Sequence, residues 1–450
     1  MSGACPACYR EASLAVTPLE RSDLALLSGN IPALGVERVL CRECADRFAD
    51  ALKFLKARYP LVGQGGTPIL PIAVRLGAFE AFSGRGVGIA FLDSGFYAHP
   101  DLVKPKDRLL AYVDITRRGA RRRDLDRPDE SAWHGMMTSV VACGNGELSG
   151  GLYKGLASRS GLVLVKCGTA RRIVHDDIRR GLLWVIRNRR RYGIRVVNVS
   201  CGGDYEASYL TDGLSQAAEL ATREGLLVCA AVGNTGHMPG HPVLPPASAP
   251  SVLAVGGLDD HNQLSVSRYG MYPSSFGPTR DGLQKPEVIA PAFFVAAPLL
   301  PGSAVAARAA FLVDLGSQDD TGLREALAAR PEEEPELQAR SALPSSELRR
   351  AVAERVRDER LISGSYVHVD GTSFASPIVA SIAAQMFEAN PRLTPQEAKH
   401  ILVTTARRVP GIDPDRQGWG VVDPRAAVLA ALQSPGKSER GASAPLGTAH

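Results

Sequence analysis

Ser373 lies in the run Gly371-Thr372-Ser373-Phe374-Ala375-Ser376-Pro377, which puts a hydroxyl on a tight turn leading into a helix. Gly371 lets a backbone approach without a Cβ in the way. Thr372 and Ser373 suit the start of a helix, and Pro377 reads as falling within its first turn or so, where a missing N–H costs little. Phe374, Ile378, Val379, Ile382, Ala383 and Met386 then recur at helical spacing and would bury one side. A serine held there sits beside unpaired amides and the positive end of the helix dipole, which can stabilise a developing oxyanion. Ser and Thr also cap many ordinary helices, so the weight rests on what else the chain supplies. A serine hydroxyl needs a base to take its proton, and an imidazole base needs a group to orient it. Val87 to Leu92 reads as a buried strand that delivers Asp93 at its C-terminal end, where sites of open α/β sheets form. His134 opens a second small-residue helix, Trp133-His134-Gly135-Met136-Met137-Thr138-Ser139-Val140-Val141-Ala142.

Asp, His and Ser in this order, as FLDSG, HGMMTSVVA and GTSFASP, resemble the motifs of the subtilases, the subtilisin-like serine peptidases. A fourth segment, Ala230-Ala231-Val232-Gly233-Asn234-Thr235-Gly236, is similar to the one whose Asn side chain completes that family's oxyanion hole. Val196 to Gly203 is similar to its substrate-binding strand, which implies substrate contacts at Ser200, Cys201, Gly202 and Gly203. The resemblance spans roughly residues 68 to 430. It implies Asp93, His134 and Ser373 as a catalytic triad, Asn234 as an oxyanion donor, and hydrolysis through an acyl-enzyme. Met136-Met137 depart from the family's HGTHVAG, removing a second, non-catalytic His and altering the packing behind the base. The resemblance also makes Asp101, in His99-Pro100-Asp101-Leu102, a calcium-ligand candidate. The companion loop Gly144 to Leu148 is altered, which leaves calcium open.

The elements that must hold these residues are legible as apolar runs. Leu162 to Val165, Val196 to Val199, Leu226 to Ala230 and Val252 to Val255 alternate with helix-length segments. Continuous apolar strands separated by helices predict an α/β fold, a doubly wound, mostly parallel sheet covered on both faces, as in subtilisin. The 450 residues carry 52 Lys and Arg against 47 Asp and Glu, a net charge of +5. So mild an excess does not imply nucleic acid. Arg117 to Arg123 and Arg187 to Arg191 are local basic clusters that read as a solvated loop and helix end. No run of about eighteen apolar residues marks a membrane span, and the N-terminus shows no apolar run of signal-peptide length. The expected location is therefore cytoplasmic.

Two Cys-x-x-Cys pairs, Cys5 with Cys8 and Cys41 with Cys44, suit a structural zinc site better than disulfides in a reducing compartment. The resulting organisation is a four-cysteine zinc module with a linker helix over residues 1–66, a catalytic domain over 67–432 and a disordered tail over 433–450. A helical insertion at about 301–363 interrupts the catalytic domain, its helices read at Glu325 to Arg330 and Glu336 to Arg360 with breaks at Pro331, Pro335 and Pro344. The expected activity is that of a serine endopeptidase on an intracellular protein or peptide substrate. A regulatory protein partner could dock on the module or the insertion. Two alternatives remain: a peptide ligase or macrocyclase using the same acyl-enzyme, and a zinc-module scaffold that binds a partner or nucleic acid.

Overall fold

A computed structural model describes residues 2–5, 10–16, 39–58, 69–78, 82–127, 129–169, 172–264 and 269–435. Cys8, the glycine-rich segment 63–66 and most of the expected tail, 436–450, lie outside them.

Strands are numbered along the chain. The sheet that carries the site is built from β4 (Gly88–Asp93), β5 (Leu109–Asp114), β6 (Gly161–Lys166), β7 (Ile194–Val199), β8 (Leu227–Ala231), β9 (Leu253–Asp259) and β10 (Gly270–Met271). Their spatial order is β10-β9-β8-β7-β4-β6-β5. Pairings from β5 across to β9 are parallel and β10 runs antiparallel to β9. Two short strands, β11 (Gly277–Pro278) and β12 (Gln284–Lys285), pair with each other, and β13 (Val288–Pro291) adds to β9 in parallel.

Side chains alternate across a strand, so one apolar run fills two cores. Ile89, Phe91, Leu162, Leu164 and Val196 enter a core shared with the helices Ala132–Cys143 and Thr372–Ala389. Ala90, Leu92, Val163, Val165, Val197 and Val199 face the other way, onto the helices His175–Asn188 and Gly213–Arg223. This is why the strands read as unbroken apolar runs. The same alternation carries Asp93, two residues past Phe91, to the face that the His134 and Ser373 helices cover.

The insertion is a four-helix unit with its own core. Its helices are Ala304–Ser317, Asp320–Ala329, Pro335–Ala339 and Ser345–Asp358. The first of these was not read in the sequence; the run from Glu336 to Arg360 divides at Pro344, which was read as a break and caps the second part. Leu312, Leu315, Leu323, Leu327, Leu348 and Val352 form the core. Glu334, 2% exposed, accepts from Arg308 Nε at 2.6 Å and Arg355 Nε at 3.3 Å, joining two helices through one buried carboxylate. A three-stranded sheet roots the unit: β14 (Val295–Pro298), β15 (Leu361–Ser363) and β16 (Tyr366–Val369), with β16 central. The chain passes from β16 directly to Ser373.

At the N-terminus β1 (Ser2–Ala4), β2 (Glu11–Val16) and β3 (Val39–Cys41) form an antiparallel sheet, followed by the helix Arg42–Arg58. Leu40, Phe48, Ala51, Leu52 and Leu55 pack with Leu70, Val74 and Leu264 of the main body. Arg75 anchors the short helix Ile72–Leu76 to the main body. Fully buried, its guanidinium pairs with both Asp260 oxygens at 2.8 and 2.6 Å and donates to the Phe293 and Phe294 carbonyls.

Candidate active site

Parallel strands end on one edge, so Asp93 of β4, Ser200 after β7 and Asn234 after β8 reach the same side of the sheet. Asp93 is fully buried. Its Oδ1 lies 2.7 Å from His134 Nδ1 and accepts the Ser94 amide at 2.7 Å, while Oδ2 accepts Thr138 Oγ1 at 3.1 Å. Thr138 stands one helical turn after His134, a spacing that puts both on one face. The His134 helix comes this close because of Gly135, where an added Cβ would sit 2.1 Å from the Gly95 carbonyl and 2.9 Å from Asp93 Cβ. Burial of the ring disfavours the imidazolium, but the charge and hydrogen bond of Asp93 outweigh it, so the His134 pKa is raised above its ordinary value. The Trp133 ring, half exposed, stands edge-on to the imidazole at 5.2 Å, and the Phe374 ring lies 5.7 Å away on the other helix.

Ser373 is the second residue of its helix, among the amides a helix leaves without internal partners. Gly371 precedes it at φ 140°, a backbone conformation that favours glycine, and offers no capping side chain. The cap comes from elsewhere. Asn234 Oδ1 accepts the Thr372 amide at 3.0 Å and the Thr372 hydroxyl at 2.8 Å, which commits the oxygen and leaves the Nδ2 donor for another acceptor. The Ser373 hydroxyl donates to the Ser200 carbonyl at 3.0 Å and must turn about its Cα–Cβ bond to give its proton to His134 Nε2.

Pro377 proves to be inside the helix rather than in its first turn. The amide it lacks is the one that would bond the carbonyl four residues back, that of Ser373. That carbonyl instead accepts Ser200 Oγ at 2.8 Å, and Ser200 Oγ accepts Asn198 Nδ2 at 2.9 Å. Asn198 Oδ1 in turn accepts Ser376 Oγ at 2.8 Å. Proline, two serines and an asparagine thus tie the nucleophile helix to β7. The sequence reading missed this set, although the buried Asn198 in an apolar strand was a signal for it.

Of the four residues read as substrate-binding, Gly202 is exposed and Gly203 partly so, while Ser200 is turned inward. The Cys201 side chain is turned inward. Its thiol is buried with Val199 and Val243, 3.6 Å from the Leu92 carbonyl, so its backbone alone can meet a peptide, and burial pushes the thiol pKa well up.

Asp101 does not fit a cation site. Its Oδ1 accepts the Leu148 amide at 3.1 Å, its Oδ2 accepts the Tyr366 hydroxyl, and the carboxyl is fully buried. The altered loop and the insertion's return strand have taken up both oxygens. In the first basic cluster Arg117 pairs with Asp114 and Asp124, and Arg122 with Asp107 and Asp126. In the second, Arg189 pairs with Glu224. Cys5, Cys41 and Cys44 are buried with their Sγ atoms all within 4.8 Å of one another, a spacing that suits three ligands of one ion. Among the described residues no helix is long and apolar enough to cross a membrane.

This geometry matches what sequence comparison finds, for the profile of the Subtilase family aligns with residues 84–420. The chain belongs to the subtilase family. Serine protease AprX of Bacillus subtilis (strain 168) is 27% identical over 357 residues, 76% of this chain and 66% of AprX. Subtilisin BL of Lederbergia lenta is 31% identical over 196 residues, 42% of this chain and 63% of that protein. The chain therefore spans just under two thirds of the length of these relatives. A solved structure of proteases from Pseudoalteromonas arctica is 24% identical with a TM-score of 0.53, covering 82% of this chain and 95% of that one, and shares the subtilisin-like fold.

Proposed function

We infer that this subtilase is a serine endopeptidase that hydrolyses peptide bonds in protein or peptide substrates through an acyl-enzyme. The observation that carries this is the 2.7 Å contact between His134 Nδ1 and the buried Asp93 carboxylate, set beside the N-terminus of the Ser373 helix. Asp93 holds the proton on Nδ1 and so turns the Nε2 lone pair toward Ser373. His134 takes the Ser373 proton as the hydroxyl oxygen bonds the scissile carbonyl carbon, and the imidazolium is stabilised by Asp93. The negative carbonyl oxygen is met by Asn234 Nδ2 and the Ser373 amide. His134 then protonates the leaving amine, and a water activated in the same way releases the acyl group. A peptide extended along Ser200 to Gly203 would present its carbonyl to this group of donors.

Residues 1–66 form, on this reading, a zinc module in which Cys5, Cys8, Cys41 and Cys44 hold one structural ion. Three of these thiols lie close together, and the fourth falls outside the described residues. Zinc would supply folding energy to the module and takes no part in peptide cleavage. Thiols that hold a metal rather than pair as disulfides fit a reducing compartment, so the location proposed together with this module is cytoplasmic. The catalytic domain then runs over 67–432, and the module and insertion are the surfaces on which a regulatory protein would act. Incubation with a peptide library separates the candidate reactions by product mass. Hydrolysis adds the elements of water to the summed fragments. Products that lack that water would favour ligation, and intact peptides throughout would overturn the peptidase reading.

A further inference from the structure

One charged residue near the site has no part in the mechanism just described. Lys166 ends β6, after the run Gly161-Leu162-Val163-Leu164-Val165, and in the parallel register it stands opposite Asp93 of β4 and Asp114 of β5. Its side chain is 10% exposed. Burying an ammonium costs free energy unless the group is fully paired. The Lys166 Nζ donates to Asp129 Oδ2 at 2.7 Å and to Ser131 Oγ at 2.8 Å. Ser131 closes the triangle by donating its hydroxyl and its amide to Asp129 Oδ1, the amide at 2.9 Å.

Ser131 immediately precedes the helix Ala132–Cys143, at the position where a serine hydroxyl ordinarily bonds a first-turn amide. Here it makes no capping bond, and its backbone is already helical at φ −81° and ψ −13°. The hydroxyl has been diverted to Lys166 and Asp129. The Ser131 carbonyl meanwhile accepts Ser94 Oγ at 2.9 Å, and the Ser94 amide donates to the same Asp93 oxygen that holds His134. One turn therefore touches both partners of the Asp93–His134 pair: it leads into the helix of the imidazole, and through Ser94 it reaches the carboxylate. The ammonium ties that turn to the sheet.

We propose that Lys166, with Asp129 and Ser131, is a positioning residue that sets the Asp93–His134 geometry by bracing the turn that opens the His134 helix. The inference rests on the peptidase reading for its kinetic consequences. It touches no reacting atom. Other charged groups beside the ammonium line a shallow cavity of about 190 Å³ and are Arg117, Asp124 and Arg127, with Asp93 and Asp114 across the register; His134 faces Asp93.

The test turns on a difference of sign. If Lys166 acted only as a charge, Lys166→Met would remove a cation from the neighbourhood of His134 and raise the imidazole pKa. If it braces the turn, the same change loosens the bond from Asp93 and lowers the imidazole pKa toward the ordinary 6.5 or so. Expected for Lys166→Met are a fall in kcat of roughly ten- to a hundredfold with KM little changed, and an acid limb of kcat/KM displaced to lower pH. Lys166→Arg, which keeps the charge and the donors, should recover most of the rate. Asp129→Asn should mimic Lys166→Met, and the double variant should be no worse than either alone, since both break one bracket. Wild-type kcat in a folded Lys166→Met, an imidazole pKa that rises, or additive losses in the double variant would each overturn the proposal. Ser131→Ala supplies the same comparison should the lysine variant fail to fold. The His134 pKa can be read by NMR titration without turnover, so an inactive wild-type protein would overturn the peptidase reading and leave this measurement to decide the bracket.

Discussion

Asn234 shows how one amide serves both structure and chemistry. Its oxygen caps the Ser373 helix through Thr372, and fixing the oxygen fixes the direction of the Nδ2 donor. Asn234→Ala should lower kcat by roughly 10²–10³ with KM little changed, because the donor meets an acceptor whose charge develops only in the transition state; a raised KM with unchanged kcat would make Asn234 a substrate-holding residue instead. His134 gives a second prediction. Its pKa is raised by Asp93 against the opposing effect of burial, and the base must be neutral to act. Activity should therefore be lost on acidification through a pKa above the ordinary 6.5 or so, and Asp93→Asn should move that limb down while cutting kcat by about 10⁴. A flat kcat/KM profile between pH 5 and 8 would count against the role. The triad types were legible because few other residues can do this chemistry. The inward direction of Cys201 was not drawn from the sequence, although the alternation that buries Val197 and Val199 puts Cys201 on the same face. The contribution of Pro377 was not legible, because freeing the Ser373 carbonyl matters only once Ser200 is known to stand beside it.

Elements distant in sequence meet where the insertion returns to the catalytic core. Tyr366 of β16, 1% exposed, packs on Tyr153 with ring centroids 5.3 Å apart and donates its hydroxyl to Asp101. Asp101 also orders the altered loop, through the Leu148 amide and through its own carbonyl, which accepts the Asn145 amide at 3.0 Å. The strand leading to the nucleophile is thus anchored where the family resemblance pointed to calcium. The melting temperature should accordingly be unmoved by added calcium. Tyr366→Phe should destabilise the fold by about 1–3 kcal/mol, because it leaves a buried carboxyl oxygen without its donor. A melting temperature that rises with added calcium, or a fully stable Tyr366→Phe, would refute this account of the junction. Strand and helix positions in the sheet were readable from apolar runs and spacing. This contact was not, since Asp101 and Tyr366 are 265 residues apart and no local pattern relates them.

At the scale of the whole molecule, the chain joins a cysteine-bearing N-terminal unit and a helical insertion to a subtilisin-like body. The N-terminal unit shares its core with Leu70, Val74 and Leu264 rather than with the residues around Ser373. Replacing Cys5 and Cys8 with Ser should therefore release one zinc per chain and loosen residues 1–60 while a small peptide is still cleaved. Elemental analysis finding well under one zinc per chain would remove the metal, and loss of small-peptide cleavage in a folded variant would mean that the unit reaches the active site. The body was foreseen from its strands and motifs because a doubly wound sheet leaves a periodic record in sequence. The full four-helix insertion was not, because Ala304–Ser317 carries its apolar residues without a marked face. The central claim is that Ser373 is the nucleophile, and covalent labelling by a fluorophosphonate tests it most directly. The wild-type protein should gain one adduct, mapped by mass spectrometry to the peptide containing Ser373, and Ser373→Ala should gain none while keeping its fold. Undiminished labelling of Ser373→Ala would contradict the account.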